Sequence, residues 1–165
     1  GRWNDMDMLV VGLYGKKGPS GDLGGTGCTD TEYQSQMSLW CMMASPLAAT
    51  NDIRSMNETT KAILLNKEVI AINQDKLGKQ AGRVVKSGPW HVFIKPLENG
   101  DTAVAILNES DQAEDYTLEF SSVGLRGLYQ VRDLWTHQDL GNSGKWRGRI
   151  NAHETKVFRL KKPDQ

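Results

Sequence analysis

The residues in this chain best placed to do chemistry lie at its start. Trp3-Asn4-Asp5-Met6-Asp7-Met8-Leu9 puts two carboxylates, an amide, an indole and two thioethers into seven positions. Asp5 and Asp7 are two apart, so an extended chain points both to one side. Polar groups this dense, just before the apolar run Leu9-Val10-Val11, have the character of the mouth of a site. Other constellations are weak. His91, His137 and His153 are scattered. Cys28 and Cys41 form no CxxC pair and no Cys/His cluster with zinc spacing, so no metal site is expected and both thiols read as free. Residues 15–27 carry Gly15, Gly18, Gly21, Gly24, Gly25 and Gly27 but neither GxGxxG nor GxxxxGK[ST], so they read as a surface loop rather than a phosphate cradle.

The elements that must position the opening motif follow from periodicity. Thr29-Asp30-Thr31-Glu32 is a capping-box pattern. After it, Tyr33, Met37, Trp40, Cys41 and Ala44 recur on one helical face, up to Pro46. Leu47-Ala48-Ala49-Thr50 is short and apolar, as a buried parallel strand is, and ends in Asn51-Asp52. Ser55-Met56-Asn57-Glu58 is a second capping-box pattern, leading into a helix through Ala62, Ile63 and Leu65, with further helical turns over Lys67–Asn73. This alternation predicts parallel β/α architecture with Asp5/Asp7 and Asn51-Asp52 at the carboxyl ends of strands. Two such units cannot close a barrel, so a strand is expected upstream of Trp3.

After about residue 83 the pattern changes. All six Met and both Cys fall in residues 1–56, and alternating strands follow. Candidates are 83–85, 91–97, 102–107, 114–120, 128–134, 146–150 and 155–160. Asn99-Gly100 marks a tight hairpin. Seven short antiparallel strands predict a β-sandwich, with Trp90, Trp135 and Trp146 in core or interdomain packing. The expected division is 1–80 and 81–165. The 20 basic and 20 acidic residues balance, which argues against nucleic acid or an anionic membrane as partner. No apolar run reaches the ~18–20 residues of a membrane span.

The first half resembles the end of the catalytic barrel of glycoside hydrolase family 27, the α-galactosidases and α-N-acetylgalactosaminidases. The matching stretches are Trp3–Leu9, Ser38-Leu39-Trp40 with Ala44-Ser45-Pro46-Leu47, Asn51-Asp52-Ile53-Arg54, and Asn66–Asp75 with Leu77-Gly78. Asp133-Leu134-Trp135 and Ala152-His153-Glu154-Thr155 resemble the family's carboxyl-terminal sandwich. The resemblance implies the end of a (β/α)8 TIM barrel, about its last two β/α units, followed by an antiparallel β-sandwich. It implies a retaining hydrolase of terminal α-linked galactose, an α-galactoside as partner, and no cofactor. The family's nucleophile, in a Lys-x-Asp motif, and its acid/base both lie upstream of the Trp-Asn-Asp motif, and neither segment is in this sequence. Asp7 and Met8 match positions lining the galactose pocket, while Asp5 and Trp3 match positions that hold the motif. Asp7 is open to two roles, sugar ligand or structural carboxylate. As a catalytic pair Asp5 and Asp7 fail, because both approach a sugar from one side whereas acid and nucleophile flank the bond.

Met6 stands where the family usually has proline, which frees φ, adds an N–H and predicts a looser turn. A chain with only part of a barrel is expected to expose Leu9–Leu13, Tyr33, Trp40 and Leu47. Those surfaces would meet the rest of the barrel or pair with a second copy. The alternative functions are a non-catalytic fragment and a carbohydrate-binding or interaction module.

Overall fold

The computed structural model describes residues 4–15 and 26–163. Trp3 and most of the glycine-rich stretch lie outside the described residues. Helix α1 (Asp30–Met42) begins where its capping box says it should. The Thr29 Oγ1 accepts from the Glu32 N–H, and Glu32 Oε2 accepts from the Thr29 N–H at 2.7 Å, so two orphan donors of the first turn are satisfied together. Tyr33, Met37 and Cys41 are buried at four-residue spacing, which is the expected face. The helix stops at a reversal through Ala44, whose φ is +52°.

The segments flanking α1 meet at one point. Leu9 and Ala49 form a single parallel bridge, with the Leu9 N–H donating to the Ala48 carbonyl (2.8 Å) and the Thr50 N–H to the Leu9 carbonyl (3.2 Å). Ala48 and Ala49 are exposed and Leu47 half-buried, so the buried strand expected over 47–50 is one bridge with an open side. A 3₁₀ turn at Ile53–Ser55, capped by Asp52, takes the place of the predicted Ser55 cap. Helix α2 (Glu58–Leu64) is capped instead by Asn57, whose side chain accepts from the Thr60 N–H, and α3 (Lys67–Asn73) by Asn66.

Eight strands follow: β1 (Gly82–Ser87), β2 (Trp90–Pro96), β3 (Thr102–Asn108), β4 (Glu114–Glu119), β5 (Tyr129–Asp133), β6 (Gln138–Ser143), β7 (Lys145–Ile150) and β8 (Thr155–Lys161). Six form one antiparallel sheet in the order β1-β2-β3-β8-β5-β6, and β4 pairs with β7 in a second. Strand β6 escaped the sequence reading because Gln138-Asp139-Leu140-Gly141-Asn142-Ser143 shows no alternation. It is an edge strand with no buried residue, so no face of it had to be apolar. The Asn99-Gly100 hairpin forms as expected, with Gly100 at φ +87°, a conformation that favours glycine.

The large sheet is covered on both faces. Val92, Val104, Ile106, Phe158 and Leu160 join Leu118, Phe120 and Ile150 in the core between the two sheets. Phe93, Ala103, Ala105 and Val157 join the core with Tyr33, Met37, Cys41, Val69 and Ile72 of the helices. Strand β3 thus alternates small residues toward the helices with larger ones toward the second sheet, which lets α1 approach the sheet closely. Trp146 lies against Phe158 and Trp90 stacks on Tyr116, both in the sandwich core or at its margin, as expected.

Polar contacts tie the helices to the sheet. The Asn66 Nδ2 donates to the Leu134 carbonyl (2.9 Å), Trp135 Nε1 to Ser38 Oγ (3.0 Å), and Ser35 Oγ to the His153 carbonyl (2.6 Å). Glu68 takes a two-point contact from Arg132 (2.6 and 2.8 Å) and one from His137 (2.7 Å). The expectation of exposed Leu9–Leu13 and Tyr33 is overturned: Leu9, Val11, Leu13 and Tyr33 are all buried, and Leu9, Val11 and Tyr33 pack in one core with the helices and the sheet. Trp40 and Leu47 are half-buried, and among the described residues of the first half the exposed large apolar ones are Met8, Ile53, Leu65 and Leu77.

Candidate functional site

Residues Asp5–Met8 lead into the Leu9–Ala49 bridge, held partly by bonds among themselves and partly by the neighbouring chain. The Met6 N–H donates to Ser45 Oγ (3.1 Å). That donor exists because the residue is not proline, and it pins the turn that loss of proline was expected to loosen. The Trp40 indole N–H donates to the Asp7 carbonyl (2.9 Å). One turn earlier on the same face of α1, Gln36 Oε1 accepts from the Val10 N–H (3.0 Å) and Gln36 Nε2 reaches the Met8 carbonyl (3.5 Å). One face of α1, with Ser45 just beyond its end, therefore fixes the tip.

Asp7 sits at φ +67°, a left-handed conformation that aspartate adopts more readily than most side chains. Its own N–H donates to Asp5 Oδ1 (3.1 Å), and its Oδ1 accepts from the Met8 N–H (2.8 Å). Each carboxylate thus spends Oδ1 on the shape of the turn, and neither Oδ2 has a hydrogen-bond partner among the described residues. Both carboxylates are exposed, and Met8 beside them is 51% exposed. A fixed carboxylate oxygen next to an open thioether suits a ligand with hydroxyls on one face and C–H groups on another.

The second polar tip lies elsewhere. In the parallel bridge, residues before Leu9 run beside residues before Ala49, as the Met6–Ser45 contact shows, and residues after Leu9 run beside Asn51-Asp52. Asp5/Asp7 and Asn51-Asp52 therefore lie on opposite sides of the bridge. Asn51-Asp52 follows its bridge as expected, while the strand expected to lead into Asp5/Asp7 lies outside the described residues. Asp52 is committed to Arg54, accepting at 2.9 and 2.8 Å from its guanidinium, and these bonds hold the carboxyl down at about 2.

The sequence reading placed Trp40 among core residues and missed Gln36 and Ser45. The available signal was the i, i+4 spacing of Gln36 and Trp40, polar and amphipathic groups along one edge of an apolar face. The histidines pair with carboxylates of their own: His91 with Glu109, His137 with Glu68, and His153 with Glu32 and Asp111. Cys28 and Cys41 are free, and burial pushes the Cys41 thiol up to about 12, leaving it protonated and inert. Among the described residues no group of three or more His, Cys, Asp or Glu could hold a metal ion, and no helix is long and apolar enough to cross a membrane.

Comparison with known proteins agrees with this layout. Residues 1–75 match the family model described as Alpha galactosidase A, and residues 87–160 the one described as Alpha galactosidase C-terminal beta sandwich domain. The chain is 49% identical over 172 residues to an alpha-galactosidase A of Cellvibrio japonicus, covering 97% of this chain and 39% of that protein. The crystal structure of alpha-galactosidase I from Mortierella vinacea superposes with a TM-score of 0.82 at 31% identity, covering 96% of this chain and 39% of that one. A GH27 β-L-arabinopyranosidase from Geobacillus stearothermophilus superposes with a TM-score of 0.85 at 25% identity, covering 98% of this chain and 38% of that one. The chain thus spans under half the length of these relatives. Its helical half corresponds to the end of their catalytic barrel and its sheets to their carboxyl-terminal sandwich, and on that evidence the chain belongs to glycoside hydrolase family 27, the α-galactosidase family.

Proposed function

We propose that this chain forms the carboxyl-terminal part of a retaining α-galactosidase, with residues 1–80 closing the catalytic barrel and 81–165 forming the sandwich. In this reading Asp7 accepts a hydrogen bond from a galactose hydroxyl through Oδ2, and Met8 lies against the sugar. Asp5 and Trp3 hold the motif, Asp5 through the Asp7 N–H. The observation that carries the reading is Asp7 itself. It is held at φ +67° by three hydrogen bonds, two through its main chain and one through Oδ1, while the residue is exposed and its Oδ2 has no partner among the described residues. Backbone strain of this kind is sustained where surrounding structure over-determines it, and it concentrates at ligand sites.

The nucleophile and acid/base of the retaining mechanism would come from a preceding segment of the barrel. This chain alone is then expected to give no turnover of nitrophenyl α-galactoside, and turnover by it would overturn the assignment of roles. In a full-length protein, Asp7→Asn should raise KM at least tenfold, since a ligand-binding charged hydrogen bond contributes about 1.5–3 kcal/mol. An unchanged KM would return Asp7 to a structural role. A β-L-arabinopyranosidase among the structural relatives favours testing nitrophenyl β-L-arabinopyranoside beside the galactoside. The ratio of kcat/KM for the two assigns the substrate.

A further inference from the structure

Beyond the bridge, on the side away from Asp7, a cleft of about 150 Å³ opens between residues 12–14 and residues 50–60. Two of its polar atoms stand out. Thr60 is 1% exposed, yet its Oγ1 has no hydrogen-bond partner among the described residues, and the Oδ1 of Asn51 is likewise buried and unpartnered. Both residues line the cleft. Buried polar atoms are almost always satisfied, by protein, water or ligand. Gly12 makes the approach possible: it sits at φ +82°, and a Cβ there would come within 2.7 Å of Thr60 Oγ1.

Several other groups of the cleft are already engaged. Asn57 Oδ1 accepts from the Thr60 N–H (2.7 Å), Asn57 Nδ2 reaches the Tyr14 hydroxyl (3.2 Å), and that hydroxyl donates to Asp30. Among the described residues the only charged one lining the cleft is Asp52, neutralised by Arg54, so these residues leave no free cation for a phosphate or carboxylate. What remains is a pair of acceptors, one of them a hydroxyl that can also donate. The volume lies below the roughly 300–1,000 Å³ of drug-sized pockets.

We infer that this cleft is a second ligand site, separate from Asp7, which takes one neutral polyhydroxylated ring, a single sugar residue, whose hydroxyls donate to Asn51 Oδ1 and Thr60 Oγ1. The ring could come from free sugar or from the far end of an oligosaccharide substrate. The assignment does not depend on the role proposed for Asp7.

Amide NMR titration of this chain with methyl α-galactoside, glucose and sucrose tests it. Saturable shifts at Gly12, Asn51 and Thr60 are expected for at least one sugar. Thr60→Val keeps the side-chain volume and should weaken that affinity at least tenfold. Ser55→Arg fills the exposed rim without touching the buried atoms and should abolish the shifts. Absence of saturable shifts with all three sugars overturns the inference, as does sugar binding that both variants retain. Kinetics in the full-length protein then separate the sources. For a substrate-borne ring, Ser55→Arg raises KM for a galactosyl trisaccharide and leaves nitrophenyl α-galactoside unchanged. For free sugar, neither KM moves while the NMR shifts persist. No turnover of either substrate by the unmodified full-length protein would count against the galactosidase reading alone.

Discussion

The turn at Asp5–Met8 and the sheet at β3 and β8 are held by different forces. The turn buries little. Its shape comes from directional bonds delivered by Gln36, Trp40 and Ser45. The sheet gets its position from burial on two faces: Ala103 and Ala105 toward the helices, Val104 and Ile106 toward the second sheet, every one of them fully covered. Hydrogen bonds contribute about 0.5–1.5 kcal/mol each net, whereas filling a core position contributes several. A region can therefore be indispensable to a ligand and nearly irrelevant to stability, and the reverse. The chain places its candidate ligand group on the first kind of support and its scaffold on the second.

The comparison breaks most visibly at Phe158. Replacing it with Ala removes a ring packed against Trp146 and should cost about 3–5 kcal/mol in denaturant unfolding. A loss below about 1 kcal/mol would mean the two-sheet core is not the main support. Ala105→Leu probes the opposite face. It forces a larger side chain under α1 and should cost about 1–3 kcal/mol. A neutral result would show that the small residues of β3 do not set the helix–sheet spacing. Trp40→Phe keeps most of the ring and removes the N–H to Asp7. Stability should fall by only about 1 kcal/mol, while in a full-length protein KM should rise with little change in melting temperature. If stability and KM move in proportion, the turn is scaffold after all.

The smallest effect concerns the junction between the helices and the sheet. Hydrogen bonds from Arg132, and secondarily His137, hold the Glu68 carboxyl down at about 2. A folded-state value below the unfolded one contributes stability above about pH 4.3, and that contribution is lost as pH falls toward 2. Glu68→Gln should lower stability above about pH 4.3, modestly because the pair is partly exposed and solvent-screened, and change it least near pH 2, so the acid side of the profile flattens. An unchanged acid limb would remove Glu68 from the account.

Much of this was legible in the chain. Thr29 and Glu32 announce the start of α1 because a capping box is a local arrangement, complete within four residues. Asn99-Gly100 announces its hairpin for the same reason. The second cap was misassigned to Ser55, although Asn57 stood two residues later. Asp52 had already captured the preceding residues into a 3₁₀ turn, and two overlapping cap patterns are resolved only by which one the chain geometry leaves free. Strand β6 was invisible because an exposed edge needs no apolar face. The burial of Val11 and Tyr33 is hidden from the sequence because it depends on contacts with segments far along the chain.

From the sequence by itself came the family, the helical half followed by the antiparallel half, and Asp7 as the residue to watch. Each of these rests on residue types and spacings readable within a short window. Only the tertiary structure decided that Trp40 holds Asp7 by its carbonyl, that Met6 is pinned by Ser45, and that Asn51 and Thr60 face a cleft on the other side of the bridge. Those outcomes turn on which donors from α1 and α2 reach which acceptors across gaps of tens of residues. Hydrogen bonding is too short-ranged and too directional for spacing alone to specify that.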